Sequence, residues 1–234
     1  PIVREARIFP ESPTISQADW KAIVHFYSST APEQLARTSP LTNQTTLFSP
    51  RVFYRSPEGP CTTLLQIEQG SICVGDAQTR TLKKLGFDGK LRAEWPTDSG
   101  PVALTKIGND LIVTLVGRIL PSDELTGQVW SFGWEGAFEP VRILRGLRRP
   151  THACIADLNQ DGSNDLVVCS FGNHLGRLSW FPSMAAQRTN ETILSELPGS
   201  VRSLPYDWNS DGRMDLSVLR VQGREGADLY VNNA

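Results

Sequence analysis

Two segments of this chain carry closely spaced oxygen-bearing side chains of the kind that bind a hard cation, and both follow the pattern D-x-N-x-D-G-x-x-D. The first copy supplies Asp157, Asn159, Asp161, the backbone carbonyl of Ser163, and Asp165. The second copy, fifty residues further on, supplies Asp207, Asn209, Asp211, the backbone carbonyl of Arg213, and Asp215. The three carboxylates of each copy repel one another at short range, and a bound cation would remove that cost.

The spacing of these oxygens favours calcium. Ca²⁺ takes roughly six to eight oxygen ligands, and side chains at positions one, three, five and nine with a carbonyl at position seven can surround one ion. Gly162 and Gly212 stand at position six, where a sharp turn is needed. Position twelve is not Glu, and a strand is predicted to follow, so the pattern is not an EF-hand. The alternative is a pair of hairpin turns made by Asx motifs without an ion; two copies in register favour the ion.

Both segments belong to a repeat of short strands and turns. Copies of the strand–turn–strand unit begin near Cys61, Pro101, Thr151 and Val201, the first two with much shorter turns. A third strand follows in three copies, starting at Gly127, Gly176 and Gly226, and KLRAEW, FEPVRIL and TILSEL can each supply a fourth. Four strands in a unit of roughly 40–50 residues is typical of a β-propeller blade. We therefore predict a mainly β chain of propeller blades, near 60–98, 99–147, 148–198 and, incomplete, 199–234.

The repeat also resembles a known family. ADLNQDGSNDLVVCSFG and YDWNSDGRMDLSVLRVQG are similar to the FG-GAP or VCBS repeats of integrin-α-like propellers. The resemblance implies a calcium-binding propeller, often seven-bladed, with Ca²⁺ in the loop between the first two strands of some blades. About four blades, the last incomplete, leave a ring open. We therefore expect the remainder of the propeller to come from a longer chain or from a partner chain.

Residues 1–59 are predicted to form a helix followed by an extended linker. Ser16 precedes Asp19 as in a capping box, and Trp20, Ile23, Val24 and Tyr27 make one apolar stripe, ending before Pro32. The segment ISQADWKAIVHFYSSTAPEQL resembles the closing helix of a small c-type cytochrome domain, but the chain has no CxxCH motif, so no haem is assigned to it. The alternative is a helix that packs its aromatic stripe on the propeller.

Other polar residues give weaker signals. Cys154 and Cys169 flank the first acidic segment, either as a cross-strand disulfide or as two buried thiols. The histidines, His25, His152 and His174, lack a second His at metal-ligand spacing, which favours structural roles. A basic cluster could hold an anionic glycan or a carboxylate, or form a solvated rim; it comprises Arg142, Arg145, Arg148 and Arg149.

The bulk properties exclude several classes of function. A net charge of −2 gives no reason to expect nucleic acid as a partner, and no apolar run approaches the roughly 18 residues that span a bilayer. We expect an extracytoplasmic module, secreted, periplasmic or at the cell surface, that Ca²⁺ stabilises and that binds a protein or glycan or assembles with neighbours, rather than an enzyme. The alternatives are a lyase-like carbohydrate-active enzyme using His152 with Arg148, and an electron-transfer protein with a haem domain before Pro1.

Overall fold

The computed structural model describes residues 15–32, 51–56, 61–135, 139–183, 190–222 and 225–233. The chain divides into two compact units, Pro1–Arg55 and Ser56–Ala234. The sequence pattern predicts a boundary between residues 59 and 60. The Ser/Thr/Pro-rich stretch predicted as a linker, residues 38–50, lies outside the described residues.

In the first unit, the described residues include the helix α1, Gln17–Thr30. Ser16 caps it, because its hydroxyl oxygen accepts a hydrogen bond from the backbone N–H of Asp19 at 3.1 Å. No residue of α1 is buried, and Tyr27 on the apolar stripe is 67 % exposed. The packing of this stripe on the propeller therefore stays a prediction.

The described residues of the second unit form four antiparallel sheets, in each of which the strands are neighbours in chain order. The first sheet comprises β1 Thr62–Glu68, β2 Ser71–Asp76, β3 Thr81–Leu85 and β4 Leu91–Pro96. The second comprises β5 Pro101–Ile107, β6 Asp110–Leu115, β7 Gly127–Gly133 and β8 Val141–Leu147. The third comprises β9 Pro150–Ala156, β10 Asp165–Ser170, β11 Arg177–Phe181 and β12 Thr192–Ser195. The fourth has three strands, β13 Ser200–Tyr206, β14 Asp215–Arg220 and β15 Gly226–Tyr230.

Neighbouring sheets pack face to face through alternating side chains. On β6, Val113 lies in the core between the first two sheets, and Ile112 lies in the core between the second and third. On β10, Val168 faces the second sheet and Val167 faces the fourth. Because successive side chains of a strand point to opposite faces, the two middle sheets are buried on both sides. This burial explains why the centres of β6 and β10 are apolar runs, residues 111–113 and 166–169.

The first strands of the four sheets, β1, β5, β9 and β13, are neighbours in that order, and residues from all four line one pocket. Sheets stacked side by side with their first strands innermost form part of a ring, as propeller blades do. The predicted mainly β fold of blade-like sheets is confirmed. No helix in the described ranges is long and apolar enough to cross a bilayer.

Candidate metal centre

The two acidic segments are the loops that join the first and second strands of the third and fourth sheets. Each connects its strands through eight residues, 157–164 between β9 and β10 and 207–214 between β13 and β14. The equivalent turns in the first two sheets have only two residues, Gln69-Gly70 and Gly108-Asn109. Two residues are enough to join antiparallel strands, so the extra length of the acidic loops requires another explanation.

The first loop is organised around the oxygens of its first three predicted ligands. The Asp157 carboxylate accepts hydrogen bonds from the backbone N–H groups of Asp161 and Gly162, at 3.1 and 2.9 Å. The Asp161 N–H is also 3.1 Å from the side-chain oxygen of Asn159, so oxygens at positions one and three converge on one point. The Asn159 amide donates to the Asp161 carboxylate at 3.0 Å. Three oxygen-bearing side chains therefore meet on the exposed face of one loop.

Backbone conformation makes this convergence possible. Gln160 and Gly162 adopt positive φ angles of 56° and 82°. Positive φ is readily available to glycine and strained for most other residues, which explains the glycine at position six. The Asp161 carboxylate then accepts the Ser163 N–H at 2.7 Å, which closes the turn.

The second loop repeats this arrangement bond for bond. Asp207 accepts from the N–H groups of Asp211 and Gly212 at 3.1 and 2.9 Å, and Asp211 accepts from the Arg213 N–H at 2.9 Å. The hydrogen bond from Arg213 is the main reason that the pKa of Asp211 lies below its usual value. Asn209 uses its oxygen and its amide as Asn159 does. Two sequences that share only the motif positions therefore fold into the same loop.

The ninth position differs from the other three. Asp165 and Asp215 are fully buried at the start of β10 and β14. One oxygen of Asp165 accepts the Leu158 N–H at 3.0 Å, and the other accepts the Ser183 N–H at 2.9 Å. Asp215 bonds to the N–H groups of Trp208 and Asn232 in the same way, at 2.9 and 2.8 Å. These carboxylates hold the base of each loop to the end of the third strand, a role that the sequence analysis did not predict.

The donor set of each loop suits Ca²⁺, because the ligands are all oxygen and carry negative charge. Asp157, Asn159 and Asp161 would hold the ion with the Ser163 carbonyl, and the Asp165 oxygens each keep a second lone pair. In this conformation the three carboxylates are not drawn together: the described residues contain no cluster of three or more His, Cys, Asp or Glu side chains that could hold a metal. A Ca²⁺ ion would therefore also need the neutral side-chain oxygen of Asn159 and the backbone carbonyl of Ser163 as ligands.

The two loops are tied to each other. The Gln160 side chain of the first loop donates to the carbonyl of Gly212 in the second at 3.1 Å. The Asn232 amide, just after β15, donates to the carbonyl of Leu158 at 2.7 Å. An ion in either loop would therefore stabilise the interface between the third and fourth sheets as well as its own turn.

The histidine and arginine of the lyase alternative lie apart. His152 lines the pocket between the first strands, whereas Arg148 lines a different pocket together with His174. Burial, reinforced by the charge of Arg202, lowers the pKa of His152 to about 4. His152 is therefore neutral near pH 7, and the structure does not pair it with Arg148.

The predicted basic cluster is divided among separate contacts. The Arg142 guanidinium lies over the Trp130 ring and 3.4 Å from Asp98. Arg149 donates to the carbonyls of Gly172 and Ile119, at 2.6 and 3.1 Å. Arg142 and Arg149 therefore make separate contacts, and the choice between an anion site and a solvated rim stays a prediction.

The cysteines of the described residues are free thiols. Cys154 lies opposite Val167 and Cys169 lies opposite His152, so the two cysteines are diagonal rather than paired across the strands. Both are buried, and burial raises the pKa of Cys154 to about 11 and that of Cys169 to about 12. Of the two interpretations, buried thiols is the one that the structure shows.

A contact between the second and third sheets was missed by the sequence analysis. The Asp123 carboxylate accepts the backbone N–H groups of Asn173, His174 and Leu175 at 2.8 to 3.1 Å. Burial alone would raise the pKa of Asp123, but these hydrogen bonds outweigh burial and lower it. Because about fifty residues separate the partners, no local pattern identifies them.

No family model and no curated protein matches the chain. Among solved structures, the chain is similar to the computationally designed Ika4 protein, with 12 % sequence identity and a TM-score of 0.49. That match covers 78 % of this chain and 99 % of Ika4. Similarity at this level carries no information about function.

Proposed function

We propose that this chain is a calcium-stabilised β-propeller module of the FG-GAP or VCBS type, placed outside the cytoplasm, that binds a protein or glycan or assembles with further blades. The observation that supports it best is the bond-for-bond repetition of one eight-residue loop in two adjacent sheets. An ordinary hairpin needs two residues there, as the first two sheets show. Calcium explains both the extra length and the acidic residues.

The ion's role is structural in this proposal. When bound, Ca²⁺ neutralises the carboxylates at positions one and five of each loop and supplies no reaction chemistry. Hydrogen bonds within the chain would extend this stabilisation beyond the loop. Gln160 links the two loops, and Asp165 anchors the base of the first loop to the end of the third strand. Extracellular calcium modules typically bind with affinity on the order of 10⁻⁴–10⁻³ M, and the proposed extracytoplasmic setting implies an affinity in this range.

An exposed apolar face supports assembly. In the fourth sheet, Leu204 lies opposite Ser217, and Ser217 lies opposite Leu229, so the three residues share one face. Leu204 is 51 % exposed and Leu229 is 53 % exposed, whereas Leu216 and Val218 on the other face are buried against the third sheet. Sheet faces of this kind are normally covered by a neighbouring sheet. A further blade, from a longer chain or a partner, would cover it.

The calcium part is tested by thermal unfolding with 10 mM Ca²⁺ and with excess chelator. If the affinity is on the order of 10⁻⁴–10⁻³ M, calcium adds about 1.4 to 2.7 kcal/mol of stability for each loop. The substitution Asp157→Asn should remove the contribution of one loop, and Asp207→Asn that of the other. The matched control is Asp88→Asn, which removes the same charge from an exposed turn. Identical melting curves with and without calcium would contradict the proposal.

The assembly part is tested separately by sedimentation velocity. The quantity measured is association of the purified chain through the exposed face of the fourth sheet. Leu204→Glu and Leu229→Glu place charges on that face and should abolish this association. Asp88→Asn serves again as a surface control. Unchanged association in both leucine variants would refute this use of the face and would leave the calcium proposal standing.

A further inference from the structure

The four first strands line a polar pocket that the proposed calcium and assembly roles do not use. Its volume is about 300 Å³, and every sheet contributes to it. Gln66 comes from β1, Ala103 from β5, Thr151 and His152 from β9, and Arg202 from β13. The position is where the blades of a ring converge, so a ligand bound there touches all four sheets at once.

The charge in this pocket has one sign. The described residues that line it include Arg202 and no Asp or Glu. Among the described residues, Arg202 has no ion pair, unlike Arg220 of the same sheet, which contacts the Asp228 carboxylate at 2.7 Å. An arginine carries five N–H donors in a planar fork that matches a carboxylate. Arg202 is exposed and has this entire donor set available.

A second donor lies beside the arginine. The Nδ1 atom of His152 accepts the backbone N–H of Ser203 at 3.4 Å. In the neutral ring, the proton is then on Nε2, which is a hydrogen-bond donor. Burial and the nearby charge of Arg202 keep His152 in this neutral form at pH 7. The pocket thus combines one permanent positive charge with a neutral N–H donor.

We propose that this pocket, the axial pocket, binds a small organic carboxylate through Arg202, with His152 as a second donor. A volume near 300 Å³ is at the lower end of ligand sites, which fits a molecule the size of one sugar acid or a short dicarboxylate. The carboxylate comes either from a free acid or from a uronate unit of a glycan, and both present the same group to the guanidinium. The pocket uses strand residues only, so the inference does not depend on calcium in the loops.

The test is isothermal titration of the full chain at constant ionic strength with glucuronate, succinate and glucose. Glucuronate, succinate or both should bind, and glucose should not. Binding of both identifies the carboxylate alone as the determinant, whereas binding of one identifies the uronate or the free acid as the source. Arg202→Gln should weaken binding by at least about tenfold, because a charge-assisted hydrogen bond is lost. Arg202→Lys should give a smaller loss, because the charge remains without the fork.

Arg145→Gln is the matched control, since Arg145 is exposed on β8 and lies outside the axial pocket. It should bind as the unsubstituted chain does. Circular dichroism of Arg202→Gln verifies that the exposed substitution leaves the fold intact. The proposal is overturned if neither acid binds, if glucose binds equally well, or if Arg145→Gln and Arg202→Gln lose affinity to the same extent. Repeating the titration in chelator measures carboxylate binding without bound calcium. Failure of this proposal can then be distinguished from failure of the calcium proposal.

Discussion

Replacing Asp165 with alanine should destabilise the chain more than any single change in the exposed part of its loop. Asp165 is fully buried, and its two oxygens satisfy the backbone N–H groups of Leu158 and Ser183. Leaving one donor at this buried carboxylate without a partner costs up to about 1–3 kcal/mol, so two such donors cost up to about 2–6 kcal/mol. That loss is a large part of the typical 5–15 kcal/mol stability of a domain. Asp165→Asn keeps one acceptor and should cost about half as much.

The assay is urea unfolding followed by tryptophan fluorescence, in excess chelator so that calcium contributes nothing. Asp161→Ala is the comparison, because Asp161 lies in the same loop on its exposed side. It should cost only about 1 kcal/mol, because the hydrogen bonds that its carboxylate accepts from Asn159 and Ser163 are exposed and water can replace them. If Asp165 served only as a calcium ligand, its replacement would cost as little as that of Asp161 in chelator. That result would refute the role that we assign to Asp165, which is to hold the base of the loop to the end of the third strand.

Three further outcomes are expected. Asp123→Asn should destabilise the chain near pH 7. Because the pKa of Asp123 is lowered in the folded state, the difference in unfolding free energy between the variant and the unsubstituted chain should shrink as the pH falls below about 4. Acid-unfolding curves measure this difference. His152 has its pKa lowered to about 4, so protons bind the unfolded state first and stability should decline between about pH 6.5 and 4. His152→Gln should flatten that part of the curve, and an unchanged slope would contradict the burial of this ring. Thiol labelling of the folded chain should modify Cys61, which is half-buried, well before Cys154 and Cys169. The pKa values of Cys154 and Cys169 are raised to about 11 and 12. Equal labelling rates would contradict this prediction and would show that the core opens readily.

The sequence contained enough to predict the strands and the outline of the site. Alternating apolar residues, Gly-rich turns and a fifty-residue offset between two acidic segments identified the blade pattern, because these are local features of the chain. The helix start at Ser16 is equally local, and its capping hydrogen bond is present. The convergence of Asp157, Asn159 and Asp161 follows from a turn with glycine at the sixth position.

What the sequence did not reveal depends on contacts between distant segments. Asp165 was predicted as one ligand among five, but its partner Ser183 follows the third strand, eighteen residues away. Asp123 reaches a loop about fifty residues along the chain. Arg202 and His152 come from different sheets and meet only where the first strands converge. Pairings of this kind are set by the packing of whole sheets, which no short motif encodes.

Native mass spectrometry of the purified chain in a calcium-containing buffer tests the central claim most directly. We predict two Ca²⁺ ions for each chain, one for Asp157→Asn or Asp207→Asn alone, and none for the double variant. Asp88→Asn should retain both ions. A chain that carries no calcium, or one whose calcium content is the same in the double variant, would contradict the account.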